Sequence, residues 1–320
     1  MNLTQSQLKL LMADNRIHDR AKLECYLLVG LEVRKAALIM VPAEIPGLEG
    51  VGPEIDNEFY WRTTGRRDPS KPYTEFVSTR LMDTLRRFGK KSLPYKTQLL
   101  REIFDRKVIS SPEYKAHLEW ARDLGLRYKE KEVRPTIREI WIYTESDVGA
   151  EIDRLDELRK DLRFQAIRHP RPSAPPYYRV FPEEASPEFV RAIGEILGYP
   201  TCCLNKYVAD RASMDVSVEM RAASQVEEHR ATDKPVAEEA YFVRDFFPCT
   251  PDCAAAQDRG REAKHRLCEL GEDVCSVYSD ILAQNLERVV KYPEIIRAHA
   301  EGLAQRASMF VEDSSHHKGE

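Results

Sequence analysis

Two short stretches of this 320-residue sequence place prolines beside pairs of cysteines, and together they constrain the fold more than any other feature. The first is GYPTCC at 198–203, and the second is FFPCTPDC at 246–253. Proline fixes its own φ torsion and so limits the conformations open to the neighbouring thiols. The pairs follow the spacing C-C-x45-C-x3-C, so a shared site would require the fold to bring two separated segments together.

The residues around both pairs favour the start of a helix. Thr250 is a good N-cap, Pro251 suits the first helical position, and Cys253 would then be the third helical residue. Thr201 is likewise a candidate cap for a helix that opens with the first pair. A helix N-terminus stabilises a thiolate and lowers the thiol pKa, and the thiolate is the form that binds metal. We therefore predict a metal site, with zinc or an iron–sulfur cluster as the cofactor, made by Cys202, Cys203, Cys249 and Cys253.

Two other interpretations of these thiols stay open. They would serve as redox or nucleophilic thiols without metal, or they would be inert and buried, because free cysteine is among the most buried residue types. Adjacent cysteines and a three-residue gap also differ from the C-x2-C pairs that are typical of zinc sites. His229 lies in the acidic segment between the two pairs. It is the candidate for a catalytic base or a further ligand, against the default interpretation of a solvated surface histidine.

The other three cysteines are predicted to pack in the core. Cys268 and Cys275 fall in a stretch whose apolar spacing predicts one continuous helix, where seven residues span about 10.5 Å along the axis. We therefore expect no bridge between them. Cys25 lies among apolar residues of a predicted helix and is interpreted in the same way. Pro293 is expected to end the long helix, and a last helix is predicted to run to about residue 310.

The cysteine count and the apolar pattern indicate the compartment. Seven cysteines are an odd number, and the first twenty residues lack the apolar run of a signal peptide, so we expect a reducing, cytoplasmic environment. No stretch approaches the roughly eighteen uninterrupted apolar residues of a membrane span, so no membrane partner is expected.

One segment has a strong charge imbalance. Residues 59–107 contain 13 basic and 5 acidic side chains, a balance of +8. A solvated helical face is the favoured explanation, and contact with an anionic substrate or with nucleic acid is the alternative. The candidate anion-binding residues are Arg62, Arg66, Arg67, Arg86 and Arg87.

The predicted fold class is α+β, predominantly α-helical with a small sheet and one βαβ-like unit. AALIMV at 36–41 and EIWIYTE at 139–145 have the β-branched and aromatic content of strands, and YYRVF at 177–181 is predicted as another strand after a proline-rich crossover. Helices are predicted around 74–88, 94–107 and 111–124, and after the serine–proline pairs that begin at Ser111 and Ser186.

This pattern divides the chain into three predicted regions. Residues 1–134 form a mainly helical, locally basic region. Residues 135–312 contain the βαβα unit followed by the cysteine-bearing helices. Residues 313–320 form a disordered tail.

The two cysteine stretches resemble an uncharacterised prokaryotic family, the domain of unknown function 483. In that family a G-[YF]-P-x-C-C element precedes an F-x-P-C-x-P-x-C element, and this sequence matches both at 198–203 and 246–253. The resemblance implies that the four cysteines act as one unit, and it implies no activity.

The sequence therefore predicts a cytoplasmic metal- or iron–sulfur-binding protein whose four-cysteine site supports a small-molecule or redox enzyme activity. One alternative is a nucleic-acid-binding protein with a structural zinc site. The other is a thiol-redox or cysteine-nucleophile enzyme that contains no metal.

Overall fold

The structure, a computed structural model, describes residues 3–64, 93–170, 176–213 and 217–316. The chain forms two compact units, each built from two separate stretches of sequence. The first unit comprises Met1–Tyr199 and Glu262–Tyr278, and the second comprises Pro200–Arg261 and Ser279–Glu320. The domain boundaries predicted after residues 134 and 312 stay a prediction. Among the described helices, none combines the length and the apolar character that crossing a bilayer requires.

Helices make up most of the first unit. Its first helices are α1 (Gln5–Ala13) and α2, which continues through the segments Asp19–Ala21, π-helical Lys22–Leu27 and Leu28–Gly30. They are followed by α3 (Val51–Thr64), α4 (Leu93–Phe104) with the π-helical Asp105–Ile109, and α5 (Pro112–Asp123). After the sheet come α6 (Ser146–Arg168), α7 (Pro176–Val180), the 3-10 turn Pro182–Ala185, and α8 (Pro187–Ile196).

The helix starts in this unit largely follow the sequence signals. Ser111 and Ser186 cap α5 and α8, and each has proline at the first helical position, as predicted. The helices predicted at 94–107 and 111–124 are confirmed. The one predicted at 74–88 lies outside the described residues.

The sheet contains three antiparallel strands in the order β1-β3-β2, where β1 is Ala36–Val41, β2 is Arg127–Arg134 and β3 is Ile137–Tyr143. The central position of β3 and the edge position of β2 follow from the amino-acid composition of each strand. The central β3 is almost wholly buried, whereas the charged β2 is largely solvent-facing. On β2, Lys131 reaches Asp153 of α6 at 2.8 Å. The predicted class, predominantly helical α+β with a small sheet, is confirmed.

The strand predicted at 177–181 is wrong, and with it the βαβ-like unit. This stretch forms α7, and the strands that do pair are all antiparallel, which needs no crossover helix. The aromatic side chains that favoured a strand prediction pack against one another along a helix. The ring centroids of Tyr177 and Phe181, four residues apart, are 5.3 Å from each other, as helical spacing allows.

The core of the first unit lies between the sheet and helices α6 and α8. Apolar side chains of all three meet there, including Trp141, Tyr143, Ile152, Leu155, Phe189 and Ile196. A buried ion pair crosses the same layer, with Arg159 Nη2 at 2.5 Å from Glu139 Oε1. The indole Nε1 of Trp141 donates to the other oxygen of Glu139 at 3.0 Å. The carboxylate therefore has partners on both oxygens, which a buried charge requires.

His117 on α5 makes the stability of this unit dependent on pH. The side chain is fully buried, and its Nδ1 lies 2.7 Å from the hydroxyl oxygen of Tyr26. Burial lowers the pKa of His117 to about 3. The unfolded chain gains a proton near the ordinary histidine pKa of about 6.5. The free energy of unfolding is therefore expected to fall as pH drops from about 6.5 towards 3, by up to about 1.4 kcal/mol per pH unit.

Urea unfolding at about pH 7.5 and about pH 5 measures this dependence. His117→Gln keeps a polar partner for Tyr26 and does not titrate, so its unfolding free energy should change less between the two conditions. His265→Gln is the matched control, because His265 is an exposed histidine that lies beside Glu269. An equal pH response in the wild type and His117→Gln would show that His117 does not contribute.

The second unit is helical throughout its regular structure. Its elements are α9 (Thr201–Ser213), α10 (Val218–Ala231), the 3-10 turn Glu238–Tyr241, and parts of α11 (Ala254–Cys268) and α12 (Glu272–His316). An irregular segment, 242–253, joins the 3-10 turn to α11. It contains the second cysteine pair.

The first cysteine stretch opens where one helix ends and the next begins. Gly198 has a φ of +74°, and its N–H donates to Glu195 O at 3.1 Å while Tyr199 N–H donates to Gly194 O at 3.0 Å. This is a Schellman ending, which favours glycine at the left-handed position. The carbonyl of Pro200 then accepts from Leu204 N–H at 3.0 Å and starts α9. The GYP tripeptide is thus the junction between α8 and α9.

Two predictions about the C-terminal helices are wrong. Cys268 and Cys275 form a disulfide with a Cα–Cα separation of 4.3 Å. The helix predicted to hold them apart is interrupted by a turn at Gly271, so α11 ends at Cys268 and α12 begins at Glu272. Pro293, in turn, lies inside α12, which continues past it. Cys25 is buried, as predicted.

Candidate metal centre

The four cysteines of the two proline-flanked stretches converge. Their sulfur atoms all lie within 4.8 Å of one another. The Sγ of Cys202 is 3.9 Å from that of Cys203 and 3.7 Å from that of Cys253. Cys203 Sγ and Cys253 Sγ are 3.7 Å apart. The predicted convergence of the two pairs is therefore confirmed.

The first pair lies in the first turn of α9. Because the helix begins at Thr201, Cys202 and Cys203 are its second and third residues. The N-terminal boundary is one residue earlier than predicted, so Pro200 and not Thr201 precedes the helix. Proline suits this end of a helix because the N–H it lacks would have no partner within the helix.

The second pair brackets a tight turn that comes before α11. Cys253 N–H donates to Thr250 O at 3.1 Å, and α11 begins at Ala254. Thr250 was predicted to cap this helix, and it does not, because the helix begins at Ala254, three residues after the predicted start at Pro251. The Thr250 hydroxyl instead bonds to the Asp252 carboxylate and helps to lower the pKa of that group. Cys253 occupies the cap position, where its sulfur accepts from the N–H of Ala256. Cysteine thus takes the role usually filled by serine or threonine.

The four thiols differ in exposure. Cys203 and Cys253 are buried at 2% and 8% exposure, Cys249 is partly buried, and Cys202 is exposed. Burial raises the pKa of Cys203, against a hydrogen bond from the N–H of Cys249, and burial also raises the pKa of Cys249 to about 11. For Cys253, burial is outweighed by the N–H of Ala256 and the neighbouring thiols, so its pKa is lowered. The predicted lowering at helix N-termini therefore holds for Cys253 and is wrong for Cys203.

Helix α10 holds the segment that contains Cys249. Arg221 Nη1 donates to the carbonyls of Pro248 at 3.1 Å and Cys249 at 3.3 Å. Gln225, one turn further along α10, donates to the same Cys249 carbonyl at 3.3 Å. On its other side, Arg221 Nε lies 2.6 Å from Asp210 Oδ2 of α9. One arginine therefore links the helix that begins with the first pair to the loop that contains the second.

Helix α12 holds the start of the same loop. Asp245 has a φ of +60° and accepts from Arg288 Nε at 2.8 Å and from the Tyr292 hydroxyl. The ring centroid of Tyr292 is 5.4 Å from that of Phe247, in an edge-to-face arrangement. Phe246 and Phe247 are both buried. The aromatic residues before Pro248 therefore anchor the cysteine loop.

Comparison with known proteins gives one match for this region. Residues 123–272 match the model of a family described as "Protein of unknown function (DUF483)". This region of the chain is therefore similar to the DUF483 family. Both cysteine stretches lie within it, so the resemblance predicted from the two motifs is confirmed. No curated protein and no solved structure matches the chain.

The other predicted site residues are not part of the sulfur cluster. His229, within the DUF483 region, is at the end of α10 with its Nδ1 3.4 Å from the Pro235 carbonyl oxygen, and its catalytic role stays a prediction. Outside that region, Arg62 is exposed on α3 and lies 3.9 Å from Glu58. The other anion-binding candidates, Arg66, Arg67, Arg86 and Arg87, lie outside the described residues. Binding of nucleic acid by the basic segment stays a prediction.

Sequence reasoning missed the polar residues that support the DUF483 cysteine loop. Asp210, Arg221 and Gln225 are common helix residues, and nothing in their spacing distinguishes them from solvated ones. Arg221 and Gln225 are four residues apart, which places them on one face of α10. This four-residue spacing is the sequence signal that relates the two side chains. It indicates contact with the cysteine loop only after the position of that loop is known.

Proposed function

We propose that the four cysteines bind one zinc ion in tetrahedral geometry. The observation that carries this proposal is the set of sulfur–sulfur distances, 3.7–3.9 Å. A regular tetrahedron with zinc–sulfur bonds of 2.3 Å has edges of about 3.8 Å. The three edges among Cys202, Cys203 and Cys253 therefore have the length that one tetrahedral ion requires, and the sulfur of Cys249 lies within 4.8 Å of the other three.

The same distances argue against an iron–sulfur cluster. A cluster distributes its cysteine ligands over two or four iron atoms, with inorganic sulfide between them. Cysteines bound to different iron atoms lie further apart than one edge of a zinc tetrahedron, whereas all four sulfurs here lie within 4.8 Å of one another. A single iron bound by four cysteines has the same geometry as zinc, and the metal analysis below distinguishes these two.

Four cysteine ligands also limit what the ion can do. They fill the tetrahedron, so no position is left for a water or substrate, which is the arrangement of structural zinc sites. Zinc has no redox chemistry of its own. The proposed ion therefore fastens the 242–253 loop to α9, and any chemistry at the site belongs to the thiolates. Metal binding requires these four cysteines to be reduced, whereas Cys268 and Cys275 are disulfide-bonded, so the cytoplasmic location stays a prediction.

Metal analysis of the anaerobically purified full chain tests the proposal. We expect a colourless protein that contains one zinc ion per chain and no acid-labile sulfide. Replacement with Co(II) should give the visible absorption of a tetrahedral thiolate complex. A brown protein that contains iron and acid-labile sulfide would show that the cofactor is an iron–sulfur cluster and not zinc. A chain without metal, even after reduction and reconstitution with zinc, would reject the metal site.

Arg221 provides a test of the support around the proposed ion. Its side chain positions the Cys249 carbonyl and touches none of the sulfurs in the contacts described above. Loss of such outer-shell partners typically costs about 10–100-fold in metal affinity. Arg221→Ala is therefore expected to weaken zinc binding by about this factor, while helical content stays unchanged. Competition with a chromophoric chelator measures the affinity.

The matched control is Arg230→Ala, an exposed arginine further along the same helix. It should leave zinc affinity close to that of the wild type. Arg221→Lys keeps the charge but not the fork of donors that reaches two carbonyls, and it should rescue only part of the loss. Wild-type affinity in Arg221→Ala would show that the loop is held without this bridge.

A further inference from the structure

The four sulfurs of the site are not equivalent, because Cys202 alone among them is on an exposed residue. Cys203 and Cys253 are buried and Cys249 is partly buried. Cys202 is the second residue of α9 and the most exposed of the four, while its sulfur stays 3.7 Å from that of Cys253. A reagent from solvent would therefore meet Cys202 first.

Backbone N–H groups also cover the two buried sulfurs. The N–H of Cys249 donates to the sulfur of Cys203, and the N–H of Ala256 donates to the sulfur of Cys253. The contacts described for the Cys202 sulfur are the thiols of Cys203 and Cys253. A hydrogen bond withdraws electron density from a thiolate and makes it a weaker nucleophile. Cys203 and Cys253 are therefore weakened by such bonds and shielded from solvent.

We infer that Cys202 is the nucleophile of this site and that its metal-bound thiolate accepts an alkyl group from a small electrophile. The inference rests on the proposed zinc ion, which keeps the sulfur deprotonated at neutral pH. Four thiolates and one Zn²⁺ give a net charge of roughly −2. Uncharged or cationic alkyl donors are therefore the class that fits, and anionic donors are repelled.

The step is a direct displacement. A lone pair of the Cys202 sulfur attacks the alkyl carbon, the sulfur–carbon bond forms, and the bond to the leaving group breaks with its electron pair on that group. The step transfers no proton and needs no oxidant. The product is a neutral thioether, which is a weaker zinc ligand than a thiolate. Alkylation can therefore be detected as a loss of metal affinity.

Access decides which sulfur performs this reaction. In-line attack needs the electrophilic carbon about 3–3.5 Å from sulfur, with the leaving group directed away from it. The exposed edge at Cys202 offers that approach. Cys203 and Cys253 are covered by protein at 2% and 8% exposure, so the surrounding structure would have to open before they could react.

The test uses zinc-loaded full-length protein whose metal content is measured first. Iodoacetamide is added in small excess, samples are quenched over time, and the modified cysteines are located by peptide mass spectrometry. Cys202 is expected to react at least about tenfold faster than Cys203, Cys249 or Cys253. Buried Cys25 is the internal reference for a slow thiol. Equal rates for the four site cysteines, or a faster Cys249, would overturn the inference.

Two further measurements separate this inference from the proposed function. A metal-bound thiolate should react at nearly the same rate at about pH 6.5 and about pH 7.5, whereas a free thiol below its pKa speeds up about tenfold per pH unit. Cys202→Ser should lose the fast reaction. Absence of zinc in the starting protein would reject the metal site itself. If zinc is bound but the rate of Cys202 alkylation rises tenfold with pH, the metal site stands and only the role of Cys202 as a metal-bound nucleophile is rejected.

Discussion

Cys253→Ser is expected to abolish stable metal binding and to leave the helices of the second unit folded. Serine is a good N-cap, so its hydroxyl can accept the N–H of Ala256 as the sulfur does. A neutral hydroxyl is, however, a poor ligand for zinc. Loss of an outer-shell partner already costs about 10–100-fold in affinity, so loss of a ligand should cost more than about 100-fold. Elemental analysis and circular dichroism on this one variant measure both outcomes.

The fold is expected to survive because apolar packing surrounds the loop independently of the sulfurs. The buried side chains of the second unit include Val226, Tyr241, Phe242, Phe246, Leu282, Leu286 and Val289. Burial of a large apolar side chain contributes about 1.5–3 kcal/mol. The matched control is Cys25→Ala, which removes a free, buried cysteine outside the site and should keep the metal. Joint loss of metal and helical content in Cys253→Ser would mean that metal binding supplies the folding free energy.

Gly260→Ala is expected to destabilise the second unit by about 2–4 kcal/mol. A Cβ at this position of α11 would lie 1.9 Å from the carbonyl oxygen of Glu239 and 2.6 Å from its carbonyl carbon. These are backbone atoms, so no side-chain rotation relieves the overlap. The helix must move away from the 3-10 turn, whose Tyr241 carbonyl also accepts from Asn285 at 3.0 Å. Chemical denaturation followed by circular dichroism measures the loss.

The control for Gly260→Ala is Gly52→Ala, which makes the same change at another helical glycine. No atom lies within 4 Å of a Cβ built at Gly52. Alanine is the better helix former by about 1 kcal/mol, so this variant should be as stable as the wild type or slightly more stable. Similar denaturation midpoints for the two variants would show that α11 adjusts to the extra methyl group without cost.

The cysteine cluster was predictable in its members and less so in its local geometry. Prolines and cysteines in two short motifs were sufficient to identify Cys202, Cys203, Cys249 and Cys253 as one cluster. The start of α11 was not predictable in the same way. Capping propensities rank threonine above cysteine and therefore favour Thr250 over Cys253 as the cap. The tight turn closed by the bond from Cys253 N–H to the Thr250 carbonyl places the helix start after Cys253, and such a turn is not visible in single-residue preferences.

The fold shows the same limit for strands and turns. The strand β1 is apolar and was predicted, whereas β2, with the sequence RYKEKEVR, was missed because an edge strand with solvated charges has no apolar alternation. The disulfide between Cys268 and Cys275 was excluded by a distance that assumed one continuous helix. The helix is in fact interrupted by a turn at Gly271. The glycine within the apolar stripe was the sequence feature that could have indicated this break.

The division of the chain into interleaved units has a consequence for the order of synthesis. The first unit is completed only by residues of Glu262–Tyr278, which follow the last site cysteine, Cys253. During translation, all four cysteines therefore leave the ribosome before the N-terminal unit has its full sequence. The proposed metal ion would therefore have all four of its cysteines available before the first unit is complete.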